Sequence, residues 1–237
     1  MTSARVATWN VLHWVHDRNH DNNLPDIPAK EDERAQAVVD RIVTIDAEIT
    51  CLQEVSGDTL KMLVDRHGTD RVHSFRLPRM PKLKQGTNVL RDGWEHLVII
   101  TNGSEKTVHA QSFDDDDGKG FIAIRRPDGG LVVCTHVSGD PDKSRLQLRL
   151  LDNWVSTQRG AVVLCGDFNM DLSAALDILR PGWHAATVRS ATDVSRPKSN
   201  QLIDHILSWS WPDLTIATIE DGGGMSDHNI VVIGKPS

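Results

Sequence analysis

The stretch LCGDFNM, residues 164–170, sets Asp167 and Asn169 two positions apart, directly behind an apolar run that ends in Gly166. On a strand, residues i and i+2 point to one side. A carboxylate and a carboxamide at one strand tip offer oxygen ligands for a hard cation and N–H donors for an anionic oxygen. A plain turn is the other reading of GDFN, since Gly, Asp and Asn are turn residues. The rest of the chain weighs against it, because strand after strand ends alike. ATWN ends in Asn10, ITCLQE in Glu54 and LVVCTH in His136. QLIDH carries Asp204, and SDHN places Asp227 and His228 before the last apolar run. One polar strand end is unremarkable. A whole set limited to Asn, Asp, Glu and His describes a site, and sites of layered α/β proteins collect at strand ends.

The elements that must gather these tips follow from periodicity. Apolar runs predict strands at 4–10, 49–52, 96–101, 106–111, 121–125, 131–135, 161–165, 201–209, 214–219 and 229–233. A helix starts at residue 31, where Ala35, Val38, Val39, Ile42 and Val43 recur at three- and four-residue spacing. Helices are also predicted over 59–67, 144–158 (Leu146, Leu150 and Trp154 aligned) and 173–179, the last stopped by Pro181 and Gly182. NGS and PDGG read as hairpin turns. Residues 13–30, polar with two prolines, read as a loop, and DDDDGKG (114–120) as a solvated charged connection without the spaced ligands of an EF-hand. VVLC and IVVI are apolar throughout, the pattern of strands covered on both faces.

At 237 residues, 39% hydrophobic and 25% charged, the composition is that of a globular chain, read as one domain, 1–237. No apolar run approaches the roughly 20 residues of a membrane span, and MTSARVATWNV lacks the pattern of a secretory signal. Cys51, Cys134 and Cys165 each close an apolar run, so buried reduced thiols and a cytoplasmic location are expected. The net charge of −7 excludes a protein that grips duplex nucleic acid by bulk charge, though not one with a local basic groove.

TWNV, LQEV, TH, GDFN, LIDH and SDHN, in this order from Trp9 to Asn229, resemble the signature set of the endonuclease/exonuclease/phosphatase superfamily, the deoxyribonuclease I-like fold. The resemblance implies an α/β four-layered sandwich: two mixed, mostly antiparallel β-sheets packed face to face, with helices outside. It implies a hydrolase in which a metal-assisted water attacks a phosphorus ester in line, with Mg²⁺ or Mn²⁺ as cofactor.

The resemblance also distributes roles. Asn10, Glu54 and Asp227 hold a cation. Asp167 orients or deprotonates the attacking water, and Asn169 donates to a phosphate oxygen. In a two-metal reading Asp167, Asn169 and His228 bind a second ion instead. His228 handles a proton or contacts phosphate, oriented by Asp204. His136 fills a position that some branches give to Tyr, a residue this chain lacks entirely. His205, next to Asp204, should face the other way. His13, His16 and His20 suggest zinc by type, but read better as the rim of the site, where Trp14 either stacks on a base or joins the core. GWEHLVIIT lacks the Asn that many members carry in the corresponding Gly-Asn motif.

The expected substrate is nucleic acid: RNA ends, 2′,3′-cyclic phosphates included, by similarity to the deadenylase and Angel-like branch, or single-stranded DNA. Alternatives are an inositol-phosphate or sphingomyelin type of phosphoesterase, and an inactive binding module on the same fold. The expected state is a monomer or part of a larger multidomain assembly.

Overall fold

The computed structural model describes residues 4–20, 30–103, 105–188, 193–211 and 216–234. The first half runs β1 (Val6–Asn10), α1 (Trp14–His20), α2 (Glu31–Ile45), β2 (Ile49–Ser56), α3 (Gly57–His67), β3 (Val72–Arg76), β4 (Glu95–Thr101) and β5 (Lys106–Phe113). There follow β6 (Asp116–Arg125), β7 (Leu131–His136), α4 (Pro141–Ser156), β8 (Val162–Asp167), α5 (Leu172–Ile178), β9 (Trp183–Ala185), β10 (Thr187–Val188), β11 (Asp204–Trp209), β12 (Ile216–Glu220) and β13 (Ile230–Ile233).

Two sheets result, one of seven strands in the order β10-β12-β13-β1-β2-β4-β3 and one of six in the order β5-β6-β7-β8-β11-β9. Each mixes parallel pairs (β1 with β2, β10 with β12, β7 with β8) into a mainly antiparallel ladder. The sheets face each other across Cys51, Leu97, Ile99, Ile122, Cys134, Val163, Cys165 and Ile206. Helices α2 and α3 cover the outer face of the first sheet, and α4 and α5 that of the second. This is the expected four-layered sandwich. The wholly apolar runs are explained by it: Val163 and Cys165 of β8 face the inter-sheet core, while Val162 and Leu164 face α4. The three cysteines are buried free thiols within that core. Among the described residues no helix is long and apolar enough to cross a membrane.

Local signals place the helix ends. Asp140 caps α4 by accepting from Asp142 N and Lys143 N, with Pro141 in the first turn, and Ser56 caps α3 by accepting from Thr59 N. DDDDGKG is not a solvated connection throughout: residues 116–120 open β6, with Gly118 and Gly120 buried. Four further sequence expectations need correction. First, α4 buries Leu148, Leu151 and Val155, whereas Leu146 and Leu150 are exposed. The buried stripe carries Gln147 and Asp152, which binary patterning assigns to solvent. Gln147 is satisfied by accepting from Ser138 N and donating to Asp115, and Asp152 by accepting from Trp183 Nε1 and Arg180 N. Second, residues 13–30 are not all loop, since α1 occupies part of them; 21–29 lie outside the described residues. Third, NGS does not close a hairpin: β4 and β5 belong to different sheets, so the chain changes layer there. Ser104 itself lies outside the described residues. Fourth, the short edge strands β3, β9 and β10 carry no apolar run long enough to announce them.

The two leucine stripes of α4 give opposite expectations. Leu148→Ala should lower the free energy of unfolding by about 2–5 kcal/mol. Leu146→Ala should change it by no more than about 0.5 kcal/mol. Urea denaturation of the two variants checks this.

Candidate active site

The second sheet sets most of the polar tips on one rung. Gly120 of β6 pairs with His136 of β7, His136 with Asp167 of β8, and Asp167 with Asp204 of β11. In-register pairing thus brings residues remote in the chain side by side at one end of the sandwich. Gly166 is required here. A Cβ at that position would collide with the Thr135 carbonyl oxygen, so only glycine lets β7 and β8 approach just before Asp167.

The first sheet brings Asn10 and Glu54 to the same end. Asn10 pairs with Gln53 at the end of the β1–β2 ladder. The β2–β4 register then shifts between Leu52 and Val55, and Glu54 sits in that irregularity with φ of 60°. A bulge of this kind re-aims a side chain, here toward the pocket. The Asn10 amide donates to Glu54 Oε1 at 3.1 Å and to Asp167 Oδ2 at 3.0 Å, joining the two sheets through one side chain. Its oxygen accepts from Leu12 N.

The β13 end is tied in by the remaining motif residues. Trp9 Nε1 donates to the His228 carbonyl at 3.0 Å, and Ser226 Oγ donates to the Asn10 carbonyl at 2.6 Å while accepting from His228 N. Ser195 Oγ accepts from Ile203 N and Asp204 N. His228 Nδ1 lies 2.8 Å from Asp204 Oδ2, and its Nε2 lies 3.9 Å from both Asp167 Oδ2 and Asp227 Oδ1. Asp227 is engaged by Arg196, Nη2 to Oδ2 at 3.0 Å. His136 Nε2 lies 3.4 Å from Asp167 Oδ2. Asn169, with φ of 49°, donates its side-chain amide to the Val137 carbonyl, and its N–H donates to Asp167 Oδ1. All eight expected residues therefore gather at this end. His205 faces away, onto the Met170 carbonyl and the edge of the Phe168 ring.

Four further residues enter the site. His16 of α1 places Nδ1 2.9 Å from Glu54 Oε2 and Nε2 3.5 Å from Glu95 Oε2. Glu95, at the start of β4, is buried and lies 3.8 Å from His136 Nδ1. Lys119 of β6 lays its ammonium against the His136 ring, and Arg196 holds Asp227. Weak signals existed for two of them. Glu95 is a carboxylate heading the apolar run HLVII, and Lys119 is a lone cation between two glycines. His16 does not join His13 and His20: the His13 and His16 rings lie 5.5 Å apart and His20 is exposed. Trp14 is buried, with the Arg18 guanidinium over its ring.

The electrostatics follow from burial. Asp167 is pushed up to about 6 by burial and by the neighbouring Asp204 carboxylate. Burial alone would lower His228, but Asp204, Asp167 and Asp227 override it and raise the imidazole to about 10. His16 is likewise raised to about 9 by Glu54 and Glu95 against its own burial. Glu54 is held well below the usual carboxylate range: the His16 imidazolium, with the Lys119 ammonium, outweighs its desolvation. His136 is pushed well down by burial and the Lys119 ammonium, so it stays neutral.

This donor set fits a divalent cation. Asp167, Asp204 and His228 each present a ligand atom, all within 4.8 Å of one another, and Asp204 Oδ1 is buried without a hydrogen-bond partner. Carboxylate oxygens with one imidazole suit Mg²⁺ or Mn²⁺.

A match to the Endonuclease/Exonuclease/phosphatase family spans residues 7–228, and the chain belongs to that family. Comparison with curated proteins finds no match. Among solved structures, the endonuclease/exonuclease/phosphatase from Bacteroides vulgatus is similar with a TM-score of 0.71 at 17% identity, over 98% of each chain. D. rerio TDP2 complexed with a single-strand DNA product gives 0.66 at 14% identity, over 97% of each chain. The endonuclease/exonuclease/phosphatase from Beutenbergia cavernae gives 0.68 at 19%, over 97% of this chain and 70% of that one. At such identities these similarities establish the fold.

Arg34 holds the site's floor. It is buried, donates from Nη1 to the Val11 and Met225 carbonyls at 2.8 Å each, and pairs with Glu31. Arg34→Met should therefore cost about 3–5 kcal/mol, the range for stripping one partner from a buried pair. Urea denaturation checks it, and a loss under about 1 kcal/mol would place Arg34 with exposed pairs instead.

Proposed function

We propose that this chain, as a single domain over 1–237, is a divalent-metal-dependent phosphoesterase that hydrolyses phosphodiester or terminal phosphate bonds at the ends of single-stranded nucleic acid. The convergence of Asn10, Glu54, Asp167 and His228 on one point carries the reading. Asn10 bridges Glu54 and Asp167, and His228 stands across Asp167 with Asp204 behind it.

A phosphodiester repels hydroxide and its alkoxide leaves poorly, so the site must offset charge and handle protons. Glu54, Asn10 and Asp227 would hold the cation; in a two-ion arrangement Asp167, Asn169 and His228, its Nε2 then unprotonated, would hold the second ion instead. When bound, the cation neutralises phosphate charge and lowers the pKa of water. Asp167 orients the attacking water and accepts its proton. The Asp204 carboxylate, 2.8 Å from His228 Nδ1, fixes that ring so that Nε2–H faces the pocket as a donor to a phosphate oxygen. His136 serves the leaving-oxygen side, and Asn169 supports Asp167 through its backbone N–H.

Membership of the family supports the reaction class. The substrate class is supported by the fold neighbour TDP2, complexed with a single-strand DNA product.

Activity on single-stranded DNA and RNA oligomers, with 2′,3′-cyclic ends among them, should need Mg²⁺ or Mn²⁺ and vanish with chelator. Asp167→Asn and His228→Asn should each lower kcat by about 10²–10⁴, with thermal unfolding midpoints near that of the parent. Turnover of inositol phosphates in preference to every oligomer would overturn the nucleic-acid assignment. Oligomer binding without turnover in the parent chain would overturn the enzyme assignment.

A further inference from the structure

Lys119 is the one lysine whose ammonium the described residues show inside the catalytic cluster, yet it is not ion-paired there. Its Nζ contacts both ring nitrogens of His136, 3.2 Å from Nδ1 and closer to Nε2, and among the described residues no carboxylate lies within ion-pair distance of it. An ammonium carries three donors. A neutral imidazole takes one of them, so the others remain for a ligand. Glu54 accepts from Asn10, from His13 N and from His16. Glu95 Oε2 faces His16, and its Oε1, 3.8 Å from His136 Nδ1, has no hydrogen-bond partner among the described residues.

The backbone that delivers Lys119 is braced. Gly120 packs so closely on the Gln111 carbonyl oxygen that a Cβ would not fit, and it pairs with His136 on the site rung. Gly118 N donates to Asp116 Oδ1, and Asp116 is held by Arg79 at 3.0 Å and by the Ser138 hydroxyl. Lys119 is only half-buried, so its stem runs from the surface into the pocket. A long side chain anchored at its base, with a partly unspent ammonium at its tip, is suited to an anion that enters from solvent.

We infer that Lys119 is a substrate-contacting residue that binds a non-bridging phosphate oxygen on the His136 side of the pocket. The inference deepens the phosphoesterase reading and rests on it. A lysine is a compact charge that follows a phosphate oxygen without demanding a fixed fork geometry. The contact therefore recognises phosphate in general and leaves discrimination between bases to other parts of the surface.

The test compares the full chain with Lys119→Met, Lys119→Gln and Lys119→Arg by calorimetric titration of inorganic phosphate at saturating Mg²⁺, and separately of Mn²⁺ alone. Lys119→Met and Lys119→Gln should weaken phosphate about tenfold or more, the loss of one charge-assisted hydrogen bond. Lys119→Arg should stay within about threefold, since it keeps the charge. Mn²⁺ affinity should be unchanged or tighter in Met and Gln variants, because a positive charge beside the carboxylates has gone. A structural lysine would weaken both ligands together, and that result overturns the inference. So does unchanged phosphate affinity in the neutral variants, or no phosphate binding by the parent chain. If the parent binds phosphate but hydrolyses no phosphoester, the proposed function fails while the comparison of variants still decides the role of Lys119. Two neutral variants guard against one failing to fold.

Discussion

The constraint on which the structure turns is the crowding of negative charge at one end of the sandwich. Glu54, Glu95, Asp167, Asp204 and Asp227 are all buried within a few side chains of each other. Ionised carboxylates in a low-dielectric site are costly unless paired or hydrogen-bonded. The fold answers with imidazoles at His16 and His228, the Arg196 guanidinium, the Lys119 ammonium and the bridging amide of Asn10. Asp167 is left only partly offset, and Asp204 keeps an unpartnered oxygen. Such residual negative potential is what a divalent cation would relieve.

Holding these groups still requires supports that are not themselves chemical. Trp9, Ser226, Ser195 and Arg34 each bond to backbone rather than to other catalytic side chains. Together they join the start of β13 to β1 and to the segment before β11. Side chains that must stay within a fraction of an ångström of a reacting centre need their own rotamers locked by such contacts. TWN, LID and SDH are accordingly compound motifs, in which one residue faces the pocket and its neighbours pin the loop that carries it.

The overall charge and the local site have opposite logic. The chain is net negative, yet the substrate proposed for it is a polyanion. Local cations resolve this, because fields inside a cleft with low-dielectric walls are focused and less screened than those over the open surface. Lys119 and Arg196 lie on different strands and segments, on two sides of the cluster, and supply positive charge where a phosphate would enter.

Much of this was legible in the primary structure because it depends on local rules. Strand and helix periodicity and the residue types at the strand tips lie within a few positions of one another, and the ordered motifs name the family. What only the tertiary structure decided depends on distant partners. The choice between two interleaved apolar stripes of α4 turned on whether Gln147 and Asp152 find hydrogen-bond partners from other elements. The change of sheet between β4 and β5 has no local signature, since a turn looks alike whichever sheet the next strand joins. Glu95, Lys119, His16 and Arg196 became site residues only through register and packing, because a charged residue in sequence carries no sign of whether it will face water or a buried counter-charge. The sequence determines which groups are available and which strands they end. Cross-strand register and the bulge at Glu54 determine which of them meet, because pairing partners lie up to hundreds of residues apart and are set by the core as a whole.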